Sequence, residues 1–157
     1  YPFFDPDCTE ITYGYDHGYV KMDRENKKVL YPFGYGLSYT SFSVGTPGVQ
    51  VFGDTAKISV DITNTGERSG AEILQLYVGC QGSAVERPVK LLKDFARVML
   101  QPGETKRVEL QVSKKDMAYY DVEKDDFVTE DILYTAYVGN CSRGEGLQKV
   151  SFRYPEV

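Results

Sequence analysis

Carboxylates are the first residues to weigh, because a pair of them can serve as acid and nucleophile at an acetal carbon. The chain has 23 acidic residues in 157, so chance pairs are plentiful. Most fall in polar turns or at outward strand positions, where water solvates them. The acidic tract at residues 121–131 raises calcium binding. In a calcium-loop register, Asp121, Glu123 and Asp125 take ligand positions. Asp126, however, stands where the sharp turn needs glycine, and Ile132 stands where the closing bidentate Glu is required. No metal is expected there. His17 is the single histidine, without a second histidine or metal-spaced cysteine to make a zinc site. A Ser-His-Asp triad around it would need partners that no spacing selects. His17 is expected to be a partly buried packing or hydrogen-bonding residue. Gly34-Tyr-Gly-Leu-Ser-Tyr39 has the look of a phosphate loop but lacks the third glycine, the following helix and the lysine. Gly34 and Gly36 are expected instead to allow close backbone approach. No catalytic, cofactor-binding or metal-binding residue is assigned, and no cofactor is expected.

The remaining reactive types are similarly undirected. Cys8, Cys80 and Cys141 are odd in number and lack metal-ligand spacing, so they are expected to be free thiols in a reducing compartment. That favours a cytoplasmic over a secreted protein. Asn140-Cys141-Ser142 matches a glycosylation sequon, which matters only in a eukaryotic secretory route. Thirteen tyrosines could stack on sugar rings, but they serve β-sandwich cores and interfaces equally, and the chain has no Trp. A formal net charge of −5 with dispersed basic residues argues against nucleic acid and anionic membranes as partners. No apolar run approaches the roughly 20 residues of a membrane helix. The chain opens on Tyr1 rather than Met and shows no secretory signal, so it is read as a piece of a longer protein.

Residues 1–40 differ in character from the rest. Residues 1–7 are rich in Pro and aromatics, residues 23–28 look like a solvated turn, and residues 31–40 are dense in Gly and Tyr. This stretch has neither strand nor helix periodicity and is expected to be an extended linker that docks on another surface. Residues 41–157 are expected to form an all-β two-sheet sandwich of about seven strands. Ile58, Val60 and Ile62 alternate on one strand, and a turn cluster at residues 64–70 follows it. On the next strand Leu74, Leu76 and Val78 form the apolar face, with Ile73, Gln75 and Tyr77 opposite. Residues 89–100 form a less regular strand, with a bulge suggested by the spacing of Phe95, Val98 and Leu100. A Pro-Gly turn at residues 101–104 leads to the alternation of Val108, Leu110 and Val112. Ser113-Lys-Lys-Asp116 has the shape of a capping box opening one short helical turn through Met117. Tyr134, Ala136 and Val138 line the penultimate strand, and Val150, Phe152 and Tyr154 the last. No long helical period is present.

Tyr31-Pro-Phe-Gly-Tyr-Gly-Leu-Ser-Tyr-Thr-Ser-Phe42 resembles the segment leading into the C-terminal domain of family 3 glycoside hydrolases. Tyr13-Gly-Tyr-Asp-His-Gly-Tyr19 is similar to the tyrosine-rich strand before that motif in bacterial members, which points to a bacterial source. Val60-Asp-Ile-Thr-Asn-Thr-Gly66 and Gly70-Ala-Glu-Ile-Leu-Gln-Leu-Tyr-Val-Gly79 resemble the first sandwich strands. Residues 87–98 and 100–105 follow in the same order. The resemblance implies a fibronectin type III-like sandwich attached to a catalytic β/α barrel and an α/β sandwich, in an enzyme that hydrolyses β-linked glucosides with retention. It places the Asp nucleophile in a Ser-Asp-Trp-like motif of the barrel, which a chain without Trp does not contain. It places the acid/base Glu upstream, so no catalytic residue transfers to this sequence. The implied partners are the other domains of the same enzyme and a β-glucoside reached through the parent, with a homo-oligomer left open. Residues 121–131 depart from the shorter turn of many relatives. The alternative role is an autonomous carbohydrate-binding or adhesion module.

Overall fold

The computed structural model describes residues 6–144 and 146–155. Tyr1, Phe3 and Phe4, the aromatics at the start of the expected linker, lie outside the described residues. The order is a helix, α1 (Gly18–Arg24), then β1 (Phe42–Val44), β2 (Gly48–Phe52), β3 (Thr55–Asn64), β4 (Gly70–Gln81) and β5 (Leu91–Leu100). β6 (Thr105–Ser113), a 3-10 turn (Lys114–Met117), β7 (Tyr119–Asp121), β8 (Asp126–Val128), β9 (Leu133–Gly139) and β10 (Gln148–Phe152) follow.

Two antiparallel sheets make the sandwich. In the first, β3 is central. β6 pairs along it from Thr55↔Ser113 to Thr63↔Thr105, while β1 and β2 share its other edge. The second sheet has the order β10-β9-β4-β5. Alternation dictates the core. Ala56, Ile58, Val60, Ile62, Val108, Leu110 and Val112 point inward from the first sheet. Leu74, Leu76, Val78, Leu100, Ala136 and Val138 meet them from the second. Tyr134, Phe152 and Tyr154 close one end as a cluster with ring centroids 5.4–5.7 Å apart. The Tyr154 hydroxyl donates to Val112 O at 3.0 Å, so its polar tip is not orphaned by burial.

The links obey the sequence chemistry. Gly103, at φ +73°, turns the chain from β5 to β6, and its N–H donates to Asn64 O at 2.9 Å. Asn64 is fully buried, and its side-chain amide is bonded at both ends, within the following turn and across to Thr40 and Leu100. Its Oδ1 accepts from Thr40 Oγ1 and the Gly66 N–H, and its Nδ2 donates to Arg68 O and Leu100 O. Ser113 and Asp116 form the expected capping box around the 3-10 turn, with Met117 buried behind it.

The two sheets of the sandwich hold eight strands, close to the expected seven, and the described residues add a separate hairpin β7–β8 whose three-residue strands are too short to show alternation. Three expectations need correction. A helix stands at Gly18–Arg24, too brief for a helical period to emerge. The bulge lies earlier than expected, where Leu76 pairs with Asp94 and Tyr77 with Leu92, leaving Lys93 as the extra residue. Finally, the face of β4 bearing Gln75 and Tyr77 is not open: both are about 5% exposed. The sequence shows which residues share a face but not that another segment covers it.

Candidate functional site

The cover over β4 is the segment before the sandwich, residues 16–40, and it is held by specific chemistry. Asp23, expected in a solvated turn, is instead the anchor. Its Oδ2 receives Lys90 Nζ at 2.5 Å and its Oδ1 receives Arg143 Nε at 2.5 Å. Arg143 also donates to Met22 O at 2.7 Å and to Lys27 O, satisfying carbonyls near the end of α1. Lys90 sits 5.9 Å from the centroid of the Tyr77 ring, a cation–π contact beneath the helix. Arg24 reaches across to Arg87 O at 2.8 Å and Glu86 Oε1 at 3.0 Å, and it pairs with the largely buried Asp16.

Beyond α1 the backbone itself touches the sheet. Ser142 N–H donates to Phe33 O at 2.8 Å. Gly34 takes φ +85°, and a Cβ there would lie 2.1 Å from Gln75 Nε2. Glycine is required twice over, for conformation and for space. Gln75 Nε2 donates to Asn140 O at 3.1 Å, and Gln75 Oε1 accepts from the Tyr77 hydroxyl. Burial, assisted by Cys141 and Asp23, pushes the Tyr77 phenol up to about 12, so it stays a donor at any physiological pH. Gly36, paired with Gly34 in the sequence reading, has open space around it.

The outward side of this strap is apolar. Leu30, Tyr31, Phe33, Tyr35, Leu37 and Tyr39 are exposed. Ile73, Phe95 and Met99 are exposed on the same outward face of β4 and β5, with Arg97, opposite Ile73, between the latter two. The outward face of the first sheet is different. Lys57, Ser59, Asp61, Arg107, Glu109 and Gln111 occupy it, with Arg107 and Asp61 in a two-pronged pair at 2.8 Å. One outward face of the sandwich is thus polar, and the other carries exposed apolar side chains.

A second ordered cluster fastens β7–β8 to the sandwich. Arg87 lies 5.1 Å from the Tyr119 ring centroid and donates to Met117 O at 2.9 Å and Glu130 Oε2 at 3.2 Å. Glu130 also accepts from Ser83 Oγ at 2.6 Å and the Ala84 N–H at 2.7 Å. Burial opposes its charge, but these donors outweigh it and hold the carboxyl below the ordinary glutamate range.

The chemical candidates from the sequence do not converge. Asp121 Oδ1 accepts from the N–H groups of Glu123 and Lys124, and Asp125 pairs with the Tyr120 hydroxyl, so the tract is spent on turning the hairpin. Among the described residues no group of His, Cys, Asp and Glu is arranged to hold a metal ion. His17 is exposed rather than partly buried; it precedes α1 and its carbonyl accepts from the Lys21 N–H at 3.4 Å. Its ring makes no cap bond to the helix. What sequence reasoning missed is the Asp23–Lys90–Arg143 group, whose members lie 67 and 120 positions apart and carry no local signal.

Comparison with known proteins agrees with this architecture. Residues 72–142 match the fibronectin type III-like domain family. A β-glucosidase of Rhizobium radiobacter is 42% identical over 109 residues, which are 68% of this chain and 13% of that protein. A β-glucosidase of Kluyveromyces marxianus is 39% identical over 143 residues, 88% of this chain and 17% of its own length. The crystal structure of a Bifidobacterium adolescentis GH3 β-glucosidase superposes with a TM-score of 0.81 at 33% identity, over 87% of this chain and 20% of that one. The chain thus spans less than a fifth of the curated relatives it matches. By sandwich topology, strap motif and these matches, the chain belongs with the fibronectin type III-like domains of family 3 glycoside hydrolases.

Proposed function

We propose that this chain is the non-catalytic C-terminal domain of a β-glucosidase-like enzyme that hydrolyses β-linked glycosides with retention. Its work is structural: it docks onto the catalytic domains, with residues 1–40 as the docking segment and residues 41–157 as the sandwich that holds it. The carrying observation is the apolar outer side of the strap, where six large side chains from Leu30 to Tyr39 stand exposed beside Ile73, Phe95 and Met99. Contiguous apolar surface of this kind marks an interaction face, since each buried Å² of it returns about 25 cal/mol. The strap is pinned from beneath by Asp23 and Gly34, so its outer side is presented with little ordering cost on association.

The test uses the complete reading frame. Leu37→Asp or Tyr35→Asp in the whole enzyme should lower its thermal midpoint by several degrees, while the same changes leave the 157-residue chain's own midpoint nearly unmoved. The chain alone should not turn over aryl β-glucosides. Turnover by the purified chain that disappears on substitution of one of its carboxylates would overturn the reading, as would a whole enzyme indifferent to both strap substitutions.

A further inference from the structure

The bulge in β5 leaves Lys93 without a partner across the β4–β5 ladder, and a bulge re-aims the side chain of its extra residue. Lys93 lines a cleft of about 290 Å³ on the open side of the sandwich, together with Thr55, Asp94, Gln111, Ser113 and Asp116. The residue is partly buried, and its Nζ donates to a backbone carbonyl, Asp116 O.

Two carboxylates share the cleft, and both are committed to the backbone. Asp94 accepts from the Phe95 N–H and the Gln111 N–H, each at 2.8 Å. Asp116 Oδ2 accepts from the Ser113 N–H at 3.0 Å. Among the described residues neither forms an ion pair with Lys93. Lys21, Lys27, Lys90, Lys106 and Lys124, by contrast, each face a carboxylate at 2.5–3.3 Å. Burial, opposed by Asp116 and Cys80 and assisted by Arg87, holds the Lys93 ammonium below the ordinary lysine range. A neutral amine that donates to Asp116 O has its lone pair turned away from that bond and free to attack.

From this geometry we propose that Lys93 is an acylation site, taking an acyl group from a small neutral thioester that enters the cleft between β5, β6 and the 3-10 turn. The Lys93 nitrogen adds to the thioester carbonyl. The C–N bond forms, the C–S bond breaks, and the departing thiolate takes the proton that the amine loses. Nothing is oxidised or reduced. Asp94 and Asp116 disfavour an anionic donor such as an acyl phosphate. The product amide keeps one N–H for Asp116 O but removes the positive charge from the cleft.

The experiment incubates the 157-residue chain with N,S-diacetylcysteamine between about pH 7 and pH 9, with acetyl phosphate as a second arm. Hydroxylamine strips acetyl groups from cysteine, and peptide mass spectrometry then follows each lysine. Lys93 should acetylate at least about fivefold faster than the exposed Lys28 and Lys57 near pH 7.5, on a rate profile that rises at lower pH than theirs. In denaturing urea the preference should vanish, because it belongs to the fold and not to the neighbouring sequence. A Lys93 rate equal to or below that of Lys57 would overturn the proposal. So would a preference that survives in urea, or one seen with acetyl phosphate and not with the thioester.

Discussion

Lys90 Nζ and Asp23 Oδ2 meet at 2.5 Å with side chains only 7% and 12% exposed. An ion pair this sheltered is strongly coupled to its surroundings. Replacing both partners with apolar residues is often tolerated, but removing one strands the other in low dielectric. Here Asp23 serves two cations at once.

Asp23→Ala should therefore cost about 3 kcal/mol in urea unfolding, and it should release α1 before the sandwich melts. Hydrogen exchange over residues 18–24 would rise well before exchange in β4 or β9. A variant with unchanged midpoint and protected α1 amides would show that the strap is held by something else.

Gly34 and Gln75 give a second lever on the same contact. Gly34→Ala must abandon φ +85° or strain there, and its Cβ collides with the Gln75 amide. A loss of about 1–3 kcal/mol is expected, with the strap loosened around Phe33. Gln75→Ala removes the bonds to Asn140 O and the Tyr77 hydroxyl, so it should itself cost about 1–3 kcal/mol. Leu76→Ala, in the core proper, should cost about 2–5 kcal/mol. If Gln75→Ala proves silent in the urea midpoint, the cover over β4 does not persist in solution.

These contacts mark the border of what the sequence could tell. Val60, Leu76, Leu110 and Ala136 were legible because strand periodicity is local: every second residue faces the core. Gly34 was legible as a close approach, though not what it approached. Gln75 and Tyr77 read as a polar outward face, because nothing in β4 reveals that residues 16–40 fold back over it. Asp23 read as solvated for the same reason, with its partners on β5's approach and in the loop after β9. The strap was visible as a stretch of aromatics without a period; its anchoring to the sandwich was not, because ion pairs between distant positions leave no pattern. Residues 121–131 were recognised as a departure, but the hairpin's inward and outward rings depend on a register that three-residue strands are too short to announce.

Glu130 makes stability depend on acid. Its folded carboxyl is held below the ordinary glutamate value by Ser83, Ala84 and Arg87, against the opposing effect of burial. A group whose folded pKa is depressed contributes stability that is fully present above its unfolded value, about 4.3. That contribution fades as pH falls through the folded pKa. Glu130→Gln should thus flatten the acid side of the stability curve below about pH 4.3, while lowering stability at pH 7, where the charged acceptor is lost. Urea midpoints of both proteins between about pH 3 and pH 7 would test this. Parallel curves would mean that Glu130 titrates as if unfolded.

Cys80 and Cys141 should remain separate thiols even under oxidising conditions. β4 and β9 are antiparallel neighbours, with Cys80 opposite Tyr134 and Gln75 opposite Gly139. Cys141 lies two residues beyond Gly139, so the two thiols sit at opposite ends of the pair. Five residues from Cys80 to Gln75, at about 3.4 Å each, already separate those ends by roughly 17 Å. A disulfide tolerates Cα atoms about 7 Å apart at most. Reactivity should also be graded. Cys8 is exposed, whereas burial raises the Cys80 thiol above its ordinary value. Since the thiolate is the reacting form, Cys80 should label far more slowly than Cys8 at neutral pH. Thiol counting in denaturant without reductant should return three per monomer, and peptide mapping after timed alkylation should place Cys8 first. A Cys80–Cys141 linked peptide from folded monomer would contradict the register of β4 against β9.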